Sequence, residues 1–307
     1  MTTEEIAEIL KAGNVAAFPT ETVYGLGALA MNPDAVKKVF QLKGRPSDNP
    51  LIIHISNSEQ ITRFARQVNN EEIMLMRHFW PGPLTLVFEK KASVPDVVTG
   101  GIQSVAVRMP DHPLALELIK ITGPLVAPSA NKSGKPSPTR PEHVYQDFGV
   151  DFPVLEGGLT KIGIESTVLD IRIKPFKILR PGKIEAHEIE SKCGVEVIYD
   201  SSDTGASPGV RYTHYKPEAR VVWSSMAGDL NENHYFLTHS DPPPGSSAAA
   251  KEYHFRENLE QMAVELYDLF RSADRNGYNL IVIEDFDPDD HRPMARALKN
   301  RIEKAVG

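Results

Sequence analysis

The chain has 307 residues, 41% of them hydrophobic and 24% charged, the composition of an ordinary globular protein, which argues against a disordered, fibrous or membrane-spanning chain. No apolar run approaches the roughly 18–20 residues needed to span a bilayer, and the opening Met1-Thr2-Thr3-Glu4-Glu5 carries the wrong charge for a secretory signal. A cytoplasmic protein is expected. Cys193 is the only cysteine, so neither an intrachain disulfide nor a multi-cysteine metal site can form. The net charge is −7, yet residues 1–217 hold 24 Lys/Arg against 25 Asp/Glu while 218–307 hold 10 against 16. An acidic chain without a basic run is a poor candidate for stable nucleic-acid binding.

Thr2 and Glu5 form a capping-box pattern ahead of Ile6, Ile9 and Leu10, and Gly13 follows, which predicts a helix over 3–12. Val15 to Phe18 reads as a buried strand. Pro33 opens a second helix with Val36, Val39 and Phe40 on one face, and 51–55 is the next strand. Strands are further expected at 84–88, 104–108, 125–127, 167–171 and 177–179, with helices near 58–67, 70–79 and 113–121. From 200 to 217 the apolar periodicity lapses and turn formers gather, as in an interdomain linker. Beyond it, strands at 220–223, 234–237 and 278–283 alternate with helices at 255–272 and 292–305. The pattern is α/β throughout, with a domain over 1–199, a linker at 200–217 and a small α/β domain over 218–307.

Several short motifs fail on inspection. Gly25-Leu26-Gly27-Ala28-Leu29-Ala30 matches a dinucleotide fingerprint, but the next helix waits for Pro33, so the glycines do not lie at a strand-to-helix turn. Gly205-Ala206-Ser207-Pro208-Gly209 matches a nucleophile elbow, yet proline has no N–H to give an oxyanion hole. The acidic run 285–290 lacks the glycine of a calcium loop and has Arg296 in place of its bidentate glutamate.

Other segments suit chemistry better. Pro19-Thr20-Glu21-Thr22-Val23-Tyr24-Gly25-Leu26-Gly27 sets hydroxyls, a carboxylate and flexible backbone directly after a buried strand, where α/β proteins place their sites. Lys43-Gly44-Arg45-Pro46 with Asn49 presents two cations on a polar turn, suited to a phosphate. Ser129-Ala130-Asn131 follows another apolar strand, Val105-Ala106-Val107-Arg108 ends a strand with a cation, and Glu165-Ser166-Thr167 opens one. No nucleophile-base pair is evident among these clusters.

In this order the segments resemble the YrdC-like family of threonylcarbamoyl-AMP synthases over residues 1 to about 190, and Ser207 to Pro217 resembles the linker of the family's long form. The resemblance implies a YrdC-like domain with a twisted mixed sheet and helices, followed by a smaller Rossmann-like domain. It implies synthesis of L-threonylcarbamoyl-adenylate from L-threonine, bicarbonate and ATP, with release of pyrophosphate, for threonylcarbamoyladenosine in tRNA; a second enzyme would transfer the group. By resemblance Lys43, Arg45, Ser129 and Asn131 form the phosphate centre, Arg45, Asn49, Ser104, Asn131, Thr139, Arg180, Tyr212 and His214 contact ATP, and Thr22, His54, Arg108, Ser129 and Ser166 hold threonine. Mg²⁺ accompanies ATP, and no protein side chain is assigned to it. The linker is expected to close over the cleft as a lid.

Two alternatives stay open on sequence alone. One is an RNA-binding module without chemistry, against which the neutral charge of residues 1–217 counts. The other is a related enzyme that uses carbamoyl phosphate, against which the lack of zinc-finger cysteines counts. On the turn reading, replacing Lys43 or Arg45 is expected to leave the fold intact.

Overall fold

The protein is described here by a computed structural model, and the described residues are 1–200, 214–228, 233–240 and 251–306. The chain divides into two units, one formed by Met1–Ser133 with Pro138–Tyr212 and the other by Gly134–Ser137 with Thr213–Gly307.

The first unit runs α1 (Thr3–Lys11), β1 (Ala16–Phe18), β2 (Gly25–Leu29), α2 (Pro33–Lys43), β3 (Ile52–His54), α3 (Asn70–Phe79), β4 (Leu84–Glu89), α4 (Asp96–Thr99), β5 (Ser104–Arg108), α5 (Pro113–Thr122), β6 (Leu125–Val126), α6 (Pro141–Phe148), β7 (Thr167–Asp170), β8 (Phe176–Arg180), α7 (Ala186–Cys193) and β9 (Val197–Tyr199). Its nine strands form one mixed sheet in the order β1-β2-β6-β3-β5-β4-β7-β8-β9. The second unit contains β10 (Arg220–Trp223), β11 (His234–Thr238), β12 (Lys251–His254), α8 (Leu259–Arg275), β13 (Leu280–Ile283) and α9 (Ala295–Val306). Its strands pair in parallel in the order β10-β13-β11-β12, a small Rossmann-like sheet. No helix among the described residues is long and apolar enough to cross a membrane.

Local chemistry sets the helix ends. Thr2 accepts from Glu5 N while Glu5 reaches back to Thr2 N, the reciprocal box foreseen for α1. Asn32 caps α2, Pro33 supplies its first residue, and Gly44 closes it in the left-handed region at φ 63°. The stretch expected as a helix over 58–67 is instead a short 3₁₀ segment, Ser58–Arg63. The helices α4, α6 and α7 and the strands β9 and β12 carry too short a pattern to stand out in the sequence.

The largest departure from expectation is β2. Its Gly-Leu-Gly was read as flexible backbone after a strand, but the segment is itself a buried strand, antiparallel to β1 with Ala16 facing Gly27 and Phe18 facing Gly25. Close packing accounts for the glycines: a Cβ on Gly27 would come within 2.9 Å of the Phe18 ring, and one on Gly25 within 3.0 Å of the Ala127 Cβ. They are packing residues, which disposes of the dinucleotide reading on steric grounds.

Strand register gives the central sheet two unlike faces. Ile53, Leu86, Val107 and Leu169 point into the large core shared with α2, α3 and α7. On the opposite face Ile52, Val87, Ala106 and Val168 make a separate four-residue apolar strip. Replacing Gly27 with Ala should therefore destabilise the fold by about 1–3 kcal/mol through overpacking against Phe18, read as a lower urea midpoint with an unchanged m-value.

Candidate active site

The four-residue strip is the floor of the candidate site, and polar groups stand at its two ends. Pairing of His54 with Arg108 in adjacent parallel strands puts both on the floor's face at its carboxyl end. At the other end, Ser104 opens β5, two residues before the Ala106 that faces Ile52, so it is level with Pro50. Four residue steps along β5 carry the chain from Ser104 to Arg108, roughly 13 Å of extended strand.

Arg108 is buried, with two of its nitrogens hydrogen-bonded and the third, Nη2, ion-paired without a hydrogen-bond partner among the described residues. Nε donates to Gly82 O at 3.1 Å, Nη1 donates to Thr22 Oγ1 at 2.9 Å, and Nη2 forms an ion pair with Glu21 Oε1 at 2.5 Å. Thr22 and Thr20 share a hydroxyl-hydroxyl hydrogen bond of 2.8 Å, and Thr20 Oγ1 donates to Val23 O, which fixes the turn after β1. Backbone bonds from Ile162 N to Glu21 O and from Gly163 N to Thr22 O lay the segment before β7 against this turn. Ser166, two residues further on, shares a 2.8 Å hydrogen bond with Thr85, and Arg180 donates to both Ser166 O and Ser166 Oγ.

His54 sits edge-on to Phe18, with ring centroids 6.4 Å apart. Burial, reinforced by the Arg108 charge, pushes its imidazole down to about 3. Its Nδ1 is 3.3 Å from Ile52 O, and a carbonyl can only accept, so Nδ1 carries the proton and Nε2 is the acceptor.

At the other end of the floor, Arg45 donates through Nη2 to Asn49 Oδ1 at 2.5 Å and to Pro50 O at 3.1 Å, so the turn after α2 is braced against the start of β3. Lys43 corrects the expectation made for it. It does not stand on a polar turn: it is 3% exposed, and its ammonium donates to Ser129 O at 2.5 Å and to Asn131 O at 2.6 Å. Ser133 N in turn donates to Lys43 O. One buried cation thus fastens the Ser129–Asn131 loop to the end of α2. Burial, with the neighbouring Arg45 charge, holds the Lys43 ammonium well below its ordinary value.

Thr139 is buried beside this loop, its carbonyl accepting from Thr160 N, while the preceding Pro138 O accepts from Tyr24 N. The structure therefore gathers Thr22, His54, Arg108, Ser166 and Arg180 at one end of the floor, Arg45, Asn49 and Ser104 at the other, and Lys43, Ser129, Asn131 and Thr139 in the connected loops. His214 belongs to the second unit, where its ring packs 5.6 Å from Tyr215, which stacks on Tyr267. Tyr212 lies outside the described residues. Two groups were not singled out in the sequence: Thr85, which anchors Ser166, and Glu21, which was noted only as a carboxylate in its turn.

A nine-stranded mixed sheet with polar clusters at both ends of one face, followed by a parallel four-stranded unit, defines a two-unit α/β protein. Residues 8–182 match the Sua5/YciO/YrdC family model, described as Telomere recombination, and residues 184–307 match that of the threonylcarbamoyl-AMP synthase C-terminal domain. The chain belongs to the threonylcarbamoyl-AMP synthase family. It is 42% identical to the threonylcarbamoyl-AMP synthase of Pyrococcus abyssi, covering 98% of this chain and 93% of the relative. It is 42% identical to that of Bacillus subtilis, covering 99% and 92%. The solved structure of P. abyssi Sua5 complexed with L-threonine superposes with a TM-score of 0.87 at 39% identity, covering 99% of this chain and 94% of that one.

Two outcomes follow from the buried cation and the buried imidazole. Lys43→Ala strips the ammonium from two backbone carbonyls and should cost about 1–3 kcal/mol of stability, whereas Arg45→Ala, on a half-buried side chain, should cost less; urea unfolding of the two variants checks the order. An unfolded histidine titrates at its ordinary 6.5 while folded His54 titrates at about 3, so the unfolded chain binds more protons between these values. The contribution of His54 is present above pH 6.5 and is lost as pH falls toward 3. From pH 7 to pH 5 the protein should lose about 2 kcal/mol more stability than His54→Asn does.

Proposed function

We propose that this protein makes L-threonylcarbamoyl-adenylate from L-threonine, bicarbonate and ATP, releasing pyrophosphate, for threonylcarbamoyladenosine in tRNA. The observation that carries the reading is the arrangement on one sheet face, where an arginine-hydroxyl-imidazole cluster and an arginine-amide cluster face each other across an apolar floor. It is supported by full-length similarity to threonylcarbamoyl-AMP synthases and by the threonine complex of the P. abyssi relative.

In this reading Arg108, Thr22, His54, Ser129 and Ser166 hold threonine, and Arg45, Asn49, Ser104, Asn131, Thr139 and Arg180 hold ATP. Lys43 acts chiefly by shaping the Ser129–Asn131 loop that faces the phosphates. Threonine's amine and bicarbonate give a carbamate, already an anionic oxygen nucleophile, so no strong base is needed for its attack on the α-phosphate. The obstacle is charge. Two unit charges about 4 Å apart repel by roughly 4 kcal/mol at an effective dielectric near 20, and fixed cations offset that repulsion as pyrophosphate leaves.

Mg²⁺ is assigned as ATP's counter-ion, neutralising phosphate charge when bound. Among the described residues no three His, Cys, Asp or Glu side chains are grouped to hold a metal. The lid expected of the linker falls on residues 201–213, which lie outside the described residues; a separate threonylcarbamoyl transferase is assigned as the consumer of the adenylate, in the cytoplasm. Pyrophosphate release from ATP should require both threonine and bicarbonate, falling to background when either is omitted. Release that continues without threonine would refute the assignment.

A further inference from the structure

Glu21 takes no part in the assignments above, yet it is the most conspicuous charge in the first unit. Its side chain is 4% exposed, as is that of Arg108. Oε1 pairs with Arg108 Nη2, but neither Glu21 oxygen takes a hydrogen bond from a described residue. A carboxylate has about four acceptor positions, and leaving them unused in a dry site is expensive unless a ligand supplies donors.

The surroundings repeat the pattern. Thr139 Oγ1 and Thr160 Oγ1 are also buried without a hydrogen-bond partner among the described residues. Thr160 N donates to Thr139 O, and Ile162 N donates to Glu21 O, so the same backbone segment carries Thr160 alongside Glu21. Thr160 is thus set two residues from the bond that holds Glu21, and Thr139 lies one backbone hydrogen bond further on, toward the Ser129–Asn131 loop. A cation and an anion side by side, with hydroxyls about them, match a zwitterion in which ammonium and carboxylate are two bonds apart.

We infer that Glu21 receives the α-ammonium of the amino-acid substrate and accepts the proton released when that amine becomes a carbamate. The inference rests on the reading of this site as a threonine pocket. The ammonium gives one N–H proton to the Glu21 carboxylate, yielding a neutral amine and a carboxylic acid. The amine nitrogen then bonds to the carbon of bicarbonate, and water leaves with one of the two remaining amine protons and the bicarbonate hydroxyl, so that the carbamate keeps one N–H and the single negative charge. The charged and titratable groups that face Glu21 are Arg108 from β5 and His112 from the segment entering α5, with Lys161 acting in turn on His112. Arg108 stays with the substrate carboxylate while Glu21 turns toward the nitrogen.

The test compares L-threonine with 3-hydroxybutanoate, the same molecule without its amine, by calorimetric binding to the full chain and to Glu21→Gln. The native protein should prefer threonine by at least 100-fold. Glu21→Gln should weaken threonine at least 10-fold, leave 3-hydroxybutanoate within about threefold, and leave the KM for ATP within twofold. Its threonine-dependent rate should climb more steeply between pH 7 and 9.5, as solvent takes over deprotonation of the amine. Equal weakening of both ligands would show that Glu21 only neutralises Arg108, and would overturn the inference. Should the Gln variant fail to fold, Glu21→Asp replaces it, and a native preference near unity refutes the ammonium role without any variant. If the native protein releases no pyrophosphate in response to threonine, the proposed function itself fails. If it does and the ligand ratio is unmoved by the substitution, only the role of Glu21 fails.

Discussion

The arrangement of the first unit turns on one buried guanidinium. Arg108 ends a central strand, and its three nitrogens reach the turn before β4, the threonine-rich turn after β1 and the carboxylate of Glu21. Removing such a charge from water costs several kcal/mol and is tolerated only where opposite charge and acceptors surround it. The surrounding segments are therefore held in place by the same requirement that makes the site electrostatically sharp. Losing the guanidinium would leave Glu21 as a buried, uncompensated anion, so the fold itself depends on the charge at this position.

Much of this was legible in the sequence because the main helices announce themselves by caps and periodicity, and because the polar segments lie directly after apolar strands. Thr2 with Glu5 and Asn32 with Pro33 each mark a helix start that the structure keeps. What stayed hidden depended on distant partners. Gly25 and Gly27 look like a flexible turn until the Phe18 ring is placed across them. Lys43 looks like a solvated helix end until the Ser129 and Asn131 carbonyls, more than eighty residues away, are brought to its ammonium. Glu21 looks like one polar residue among several until its ion-pair partner is seen to be an arginine at the end of β5.

The two faces of the central sheet show how a two-residue period separates stability from chemistry. Alternate residues of β3, β4, β5 and β7 feed the main core, and the intervening ones build a floor just large enough to isolate the polar clusters at its ends. A one-residue slip in β3 or β5 would exchange its two sets, sending His54 or Arg108 into hydrocarbon. The apolar core thus acts as the gauge that sets where each functional side chain emerges.

The tetrapeptide Gly134–Ser137 gives the molecule an unusual assembly problem. It begins three residues after Asn131, yet it is counted with the second unit, where Gly134 O accepts from Lys216 N and Pro136 O accepts from the buried Arg271. The chain must therefore leave the first unit and return to it before that unit is finished. During synthesis, this short excursion emerges from the ribosome well before its partners at 216 and 271 exist. The bonds that Gly134 and Pro136 make can therefore form only once the last third of the chain has been made.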